Sequence, residues 1–257
     1  METSPGPWIV ALRHSHDRLE AIVEPLDPAQ LEHPAYPSKW SIAQVLSHLG
    51  SQAEIFGLWL DSSLSGTEPP GRETFGPIWD SWNARSPQAQ TADGLRADRI
   101  TLERMESLDA DQLAGLHLNL FGTDLDAVGL GRMRVSEHSV HTWDVAVALD
   151  PAATLAPDAV GLLVDTLGQF VARAAKPDGV QRRLCVSTTD PEREFILETS
   201  ESVTLTPADR DEDLPELRLP AEAFIRLLYG RLDPAHTPAV RASGVDLDEL
   251  RLIFPGI

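Results

Sequence analysis

The sequence predicts an α+β protein in two parts, a helical bundle over residues 1–150 and a small α+β unit over residues 151–257. Three observations carry this. Apolar residues recur at helical spacing through most of the first 150 positions. Leu149-Asp-Pro-Ala-Ala-Thr-Leu-Ala-Pro-Asp158 then interrupts the pattern with Pro151 and Pro157. Beyond one further helical stretch come three strand-like runs, Arg182–Thr188, Glu194–Thr199 and Ser202–Thr206, separated by polar turns.

A chain of 257 residues is long enough to bury a core in both parts. Its net charge of −19 argues against binding nucleic acid or an anionic membrane through a broad basic surface. A small anionic substrate stays open, because one nearby Arg outweighs a distant field. The single cysteine, Cys185, excludes an intrachain disulfide and a Cys-based zinc site; in Arg183-Leu-Cys-Val-Ser187 it reads as a buried small residue rather than a nucleophile. No run approaches the ~18 apolar residues that a membrane span needs. The opening Met-Glu-Thr-Ser-Pro-Gly-Pro lacks the basic and apolar regions of a signal peptide. A monomer in the cytoplasm is expected.

Helix one is expected from about Pro7 to Glu24, with Ile9, Leu12, Leu19 and Val23 in phase and His16 in the same stripe, a core residue or a pocket-lining one. Asp27 and Pro28 start a short turn. Helix two opens at Trp40-Ser-Ile-Ala-Gln-Val-Leu-Ser-His48, capped by Ser38 or Ser41, and runs to about Leu60. Residues 61–87, with Phe75, Trp79 and Trp82, read as a long irregular connection, either a pocket rim or a loop pinned by its aromatics. Helix three spans about Gln88–Leu108, with Leu95, Leu102, Met105 and Leu108 on its apolar side. Leu108-Asp-Ala-Asp-Gln-Leu113 then echoes Leu26-Asp-Pro-Ala-Gln-Leu31. The echo implies two related helix pairs packed face to face, which would bring His48 to the fourth helix, Gly131–Leu149. In the second part, a helix at Pro157–Ala175 precedes the strands. Asp209–Asp213 reads as a solvated acidic loop, Leu217-Arg-Leu219 as a fourth strand, and Pro220–Tyr229 and Asp246–Leu252 as helices.

The fourth helix carries Arg134-Val-Ser-Glu-His-Ser-Val-His-Thr-Trp-Asp144. Glu137 and His141 are four apart and share one face, with Arg134 three before and Asp144 three after. A carboxylate and an imidazole at that spacing are a common way for one helix to supply two metal ligands, though such a pair taken alone is usually a solvated face.

Together with Leu219-Pro-Ala-Glu-Ala-Phe224, Leu228-Tyr-Gly-Arg231 and the terminal Phe-Pro-Gly256, these stretches resemble the mycothiol-dependent maleylpyruvate isomerases and their relatives over nearly the whole chain. The resemblance implies a DinB-like four-helix bundle followed by a small sterol-carrier-like α+β domain. It implies His48, Glu137 and His141 as the ligands of zinc or another divalent metal, with His138 on a different face and structural. It implies mycothiol or another low-molecular-weight thiol as cofactor or co-substrate: its thiolate adds to an activated double bond, the resulting single bond rotates, and elimination gives the trans isomer. Relatives with this triad instead transfer the thiol to an electrophile. Arg231 is the candidate cation for a carboxylate substrate, or else a helix C-terminal charge. Arg134 and Asp144 either orient the ligands or form a salt bridge and a surface residue. The alternative is a non-catalytic module that holds a small ligand or lipid and keeps a structural metal.

Overall fold

The computed structural model of the chain describes residues 4–208 and 213–256. The acidic stretch Asp209–Asp213 therefore lies, but for its last residue, outside the described residues. The chain divides into two compact units, Glu2–Ala153 and Thr154–Ile257.

In the first unit α1 (Gly6–Val23), α2 (Ile42–Ser65), α4 (Pro87–Glu106) and α6 (Ala127–Leu149) form a four-helix bundle. The helix ends follow local chemistry. Ser41 and Gln44 form a reciprocal capping box at the start of α2, and Gly66, in the left-handed region at φ 66°, ends it. Ser86 caps α4 and Asp126 caps α6 through their side-chain oxygens. The echoed hexapeptides make the same reciprocal bonds twice, ahead of a 3-10 turn (Gln30–Glu32) and of a short α-helix. Asp27 and Gln30 exchange backbone-to-side-chain hydrogen bonds of 2.9 Å each, and Asp109 and Gln112 do so at 3.0 and 2.8 Å, where Asp109 caps α5 (Ala110–Gly115).

The helix pairs interleave rather than stack face to face. Extensive packing runs from α1 to α4, α4 to α2, α2 to α6, and α6 back to α1. Each helix thus lies between the two helices of the other pair. This brings α2 and α6, the helices of His48 and of Glu137 and His141, side by side. Close approach of α2 and α4 requires glycine: a Cβ on Gly94 would sit 2.5 Å from the Leu46 carbonyl oxygen. Leu19, Val23, Ile42, Val45, Leu46, Leu49 and Val145 form a buried apolar cluster of the bundle.

Two segments differ from the sequence reading. The connection at 61–87 is partly helical: α2 continues to Ser65, and α3 (Phe75–Asn83) follows, burying Phe75 and Trp82. Those two aromatics are seven apart, two helical turns, and so share a face. Before α6 stands an antiparallel hairpin, β1 (His117–Leu120) and β2 (Thr123–Asp126), turning at Phe121 and Gly122.

In the second unit the single helix expected at 157–175 is two, α7 (Pro157–Leu163) and α8 (Leu167–Ala174), joined by a 3-10 turn. Strands β3 (Arg182–Thr189), β4 (Arg193–Thr199), β5 (Val203–Pro207), β6 (Glu216–Pro220) and β7 (Arg241–Ser243) form one sheet in the order β5-β4-β3-β6-β7. Only the β3–β6 pairing in it is parallel. Helix α9 (Ala221–Leu228) buries Phe224, Ile225, Leu227 and Leu228, and α10 (Leu247–Ile253) buries Leu250 and Ile253. Cys185 is fully buried in β3, as its neighbours predict. Among the described residues no helix is long and apolar enough to cross a membrane.

Candidate metal centre

His48 lies two turns into α2, and Glu137 and His141 lie one turn apart in the middle of α6. Because α2 and α6 are neighbours, the three side chains converge, with donor atoms within 4.8 Å of one another. Nε2 of His48 is 3.5 Å from Oε2 of Glu137, and Nε2 of His141 is 3.7 Å from the same oxygen. Ligand atoms around one zinc at about 2 Å each stand roughly 3–4 Å apart, so the donor set matches a shared ion in both identity and spacing. The Glu137 side chain keeps 39% of its surface exposed, more than either histidine.

The surroundings set the protonation of the donors. Nδ1 of His141 is 2.8 Å from Oδ2 of Asp144, which is fully buried. The Nδ1 proton is thereby held, and the Nε2 lone pair faces the cluster. Burial pushes the pKa of His48 down, partly opposed by its hydrogen bond with Glu137, and this favours the neutral, ligating form. For Glu137, burial acts upward, but the hydrogen bond with His48 and the fields of His141, His48 and Arg134 outweigh it and bring the carboxyl to about 2. Trp40 packs against both histidines, its ring centroid 5.1 Å from that of His48 and 6.0 Å from that of His141.

Arg134 and His138 point elsewhere, into a second, fully buried polar cluster. Oδ2 of Asp98 of α4 is hydrogen-bonded to Nδ1 of His16 from α1 at 2.7 Å, and Nε2 of His138 lies 2.8 Å from the same oxygen without hydrogen-bond alignment. Its other oxygen pairs with Nη2 of Arg134, which also donates to the Leu49 carbonyl at 3.2 Å. Nδ1 of His138 meets the hydroxyl of Ser15 at 2.8 Å. His138 is thus buried on a different face from Glu137, and His16 is a hydrogen-bonded core residue. Arg134 and Asp144 are both buried, so neither is a surface residue. Asp98 was not singled out from sequence; its signal is a carboxylate four residues before Leu102, in phase with the apolar side of α4.

In the second unit Arg231 follows Gly230, whose φ of 69° and contact with Gly256 leave no room for a side chain. Nη1 of Arg231 donates to the Tyr229 carbonyl at 2.7 Å, and its backbone N–H to the Arg226 carbonyl.

Residues 12–146 match the mycothiol maleylpyruvate isomerase N-terminal domain, and residues 154–250 match the C-terminal domain of the same family. The chain belongs to the mycothiol maleylpyruvate isomerase family. Among solved structures it is similar to the crystal structure of the mycothiol-dependent maleylpyruvate isomerase, with a TM-score of 0.69 at 14% identity over 95% of this chain and 94% of that one. A histidine-to-alanine mutant of the mycothiol-dependent maleylpyruvate isomerase gives a TM-score of 0.68 at 13% identity, over 95% of each chain. At such identity the shared property is the fold. No curated protein matches the chain.

Proposed function

We propose that this member of the mycothiol maleylpyruvate isomerase family is an enzyme holding a divalent metal, zinc, on His48, Glu137 and His141. It uses a low-molecular-weight thiol, mycothiol, on a small electrophile. The observation that carries the proposal is the convergence of those three donors, one carboxylate and two imidazole Nε2 atoms, within 4.8 Å. Two neutral imidazoles and one carboxylate leave a further coordination position available on zinc. A metal bound there favours the thiolate over the thiol.

The chain's own residues supply the remainder. Asp144 holds His141 in the tautomer whose Nε2 is free to ligate, Glu137 contributes a fixed negative charge, and Trp40 shields the histidines on one side. Residues 1–150 form the metal-binding domain. Residues 151–257 form a second domain that carries Arg231, the candidate cation for a carboxylate substrate. The reaction is isomerisation with the thiol returned, or S-transfer with the thiol consumed.

The test is to mix zinc-loaded protein with mycothiol and maleylpyruvate, following the cis isomer by absorbance and free thiol by titration. Loss of the cis isomer with thiol recovered supports the isomerase, and stoichiometric loss of thiol supports a transferase. Neither change, with zinc bound, supports a non-catalytic ligand-binding module instead.

A further inference from the structure

The cluster around Asp98 invites two explanations. Donor atoms of His16, Asp98 and His138 also lie within 4.8 Å of one another, the composition of a second metal site. A dication there would sit beside the buried guanidinium of Arg134, which already occupies the other oxygen of Asp98. With Arg134 present the Asp98 carboxylate already has its counter-charge without an ion.

What the cluster does mechanically follows from its connections. Successive residues on an α-helix point about 100° apart. His138 is tied to Ser15 on α1 and Asp98 on α4, so Glu137, its neighbour, is turned away from them and toward α2. Arg134, one turn earlier, binds the same Asp98 and reaches the carbonyl of Leu49, the residue after His48. One carboxylate therefore fixes both the rotation of α6 and its height against α2 at the turn that carries His48.

Building on the metal reading above, we propose that Asp98 is a positioning residue for the metal centre, acting through Arg134 and His138 to set the separation of His48 from Glu137 and His141. Asp98 touches none of the three donors. Its effect is on how well they meet one ion.

Titration of the metal-free full-length protein with Co(II), read by its visible d–d absorption, tests this alongside far-UV circular dichroism. Asp98→Asn is expected to keep its helical signal, bind Co(II) at least ~10-fold more weakly, the lower end of the loss seen when groups beyond the ligands are changed, and alter the band positions or intensities. Asp98→Asn leaves Arg134 buried without its counter-charge and risks the fold. The double variant Asp98→Asn with Arg134→Gln removes both charges and is expected to show the same weakening. Native Co(II) affinity and an unchanged spectrum in either folded variant, even with a lower melting temperature, would overturn the proposal. Loss of fold in both would do so as well, since it assigns Asp98 to the core alone. Failure of the unaltered protein to bind Co(II) is a separate result: it overturns the metal reading first and this inference with it.

Discussion

Oδ2 of Asp144 lies 2.8 Å from Nδ1 of His141, one helical turn on and fully buried. The pair leaves Nε2 of His141 as the only ring nitrogen with a lone pair directed at Glu137. Replacing Asp144 with Asn removes the carboxylate that holds the Nδ1 proton and fixes the ring orientation. Asp144→Asn should weaken zinc binding by about 10- to 100-fold, measured by competition with a chelator. Unchanged affinity would show that Asp144 is only a core residue.

The three donors should depend on one another. His48→Ala, Glu137→Ala and His141→Ala should each lose most bound zinc while keeping the helical circular dichroism signal, because the bundle core is built from the apolar cluster around Leu46 rather than from one ion. Elemental analysis decides: full occupancy in all three variants removes the site.

Close helix packing gives a prediction independent of metal. Gly94→Ala drives a methyl against the Leu46 carbonyl, so α2 and α4 must part, and the expected cost is about 1–3 kcal/mol. Gly57, inside α2, has nothing within 4 Å of an added Cβ. Gly57→Ala should therefore stabilise by about 0.5–1 kcal/mol through helix propensity. Urea unfolding of the two variants checks both signs, and equal shifts would contradict the packing described here.

Stability of the metal-free protein should fall with acidification. Burial lowers the pKa values of His48 and His138 from 6.5 in the fold. Below about 6.5 the unfolded chain binds protons that the folded chain refuses, so stability rises with pH across that window and is lost as pH falls through it. Glu137, brought from 4.5 to about 2, adds a further loss as pH drops between those values. Urea midpoints measured from about pH 7.5 to 5 should decrease, and His48→Gln should flatten the slope. A flat profile in the parent protein would count against the buried neutral histidines.

For a carboxylate substrate, Arg231→Ala should retain zinc and thiol binding yet lower turnover by at least about tenfold, near 1.4 kcal/mol. Arg231→Lys should recover part of the loss, since an ammonium lacks the planar fork of a guanidinium. Normal turnover by Arg231→Ala would remove this residue from the reaction and favour an uncharged electrophile.

What the sequence determined by itself is what local spacing controls. Glu137 and His141 share a face because they are four apart on one helix, and that holds wherever the helix packs. The repeated Leu-Asp-x-x-Gln-Leu segments build the same reciprocal bonds at Asp27 and Asp109 because a capping box closes within four residues. The helix pairs were legible, as were four strands of the second unit's sheet. The hairpin at 117–126 was not, since its strands are only four residues each. Nor was the short edge strand β7. The meeting of α2 with α6 was already implied by the echoed segments; tertiary structure alone decided that the helix pairs interleave. It also decided that His16, Asp98, Arg134 and His138, drawn from three helices, meet at one buried carboxylate. Such a meeting depends on how helices rotate against one another, and burying Asp98 is tolerable only because cationic and N–H partners from other helices arrive together. No single helix records that requirement in its own residues.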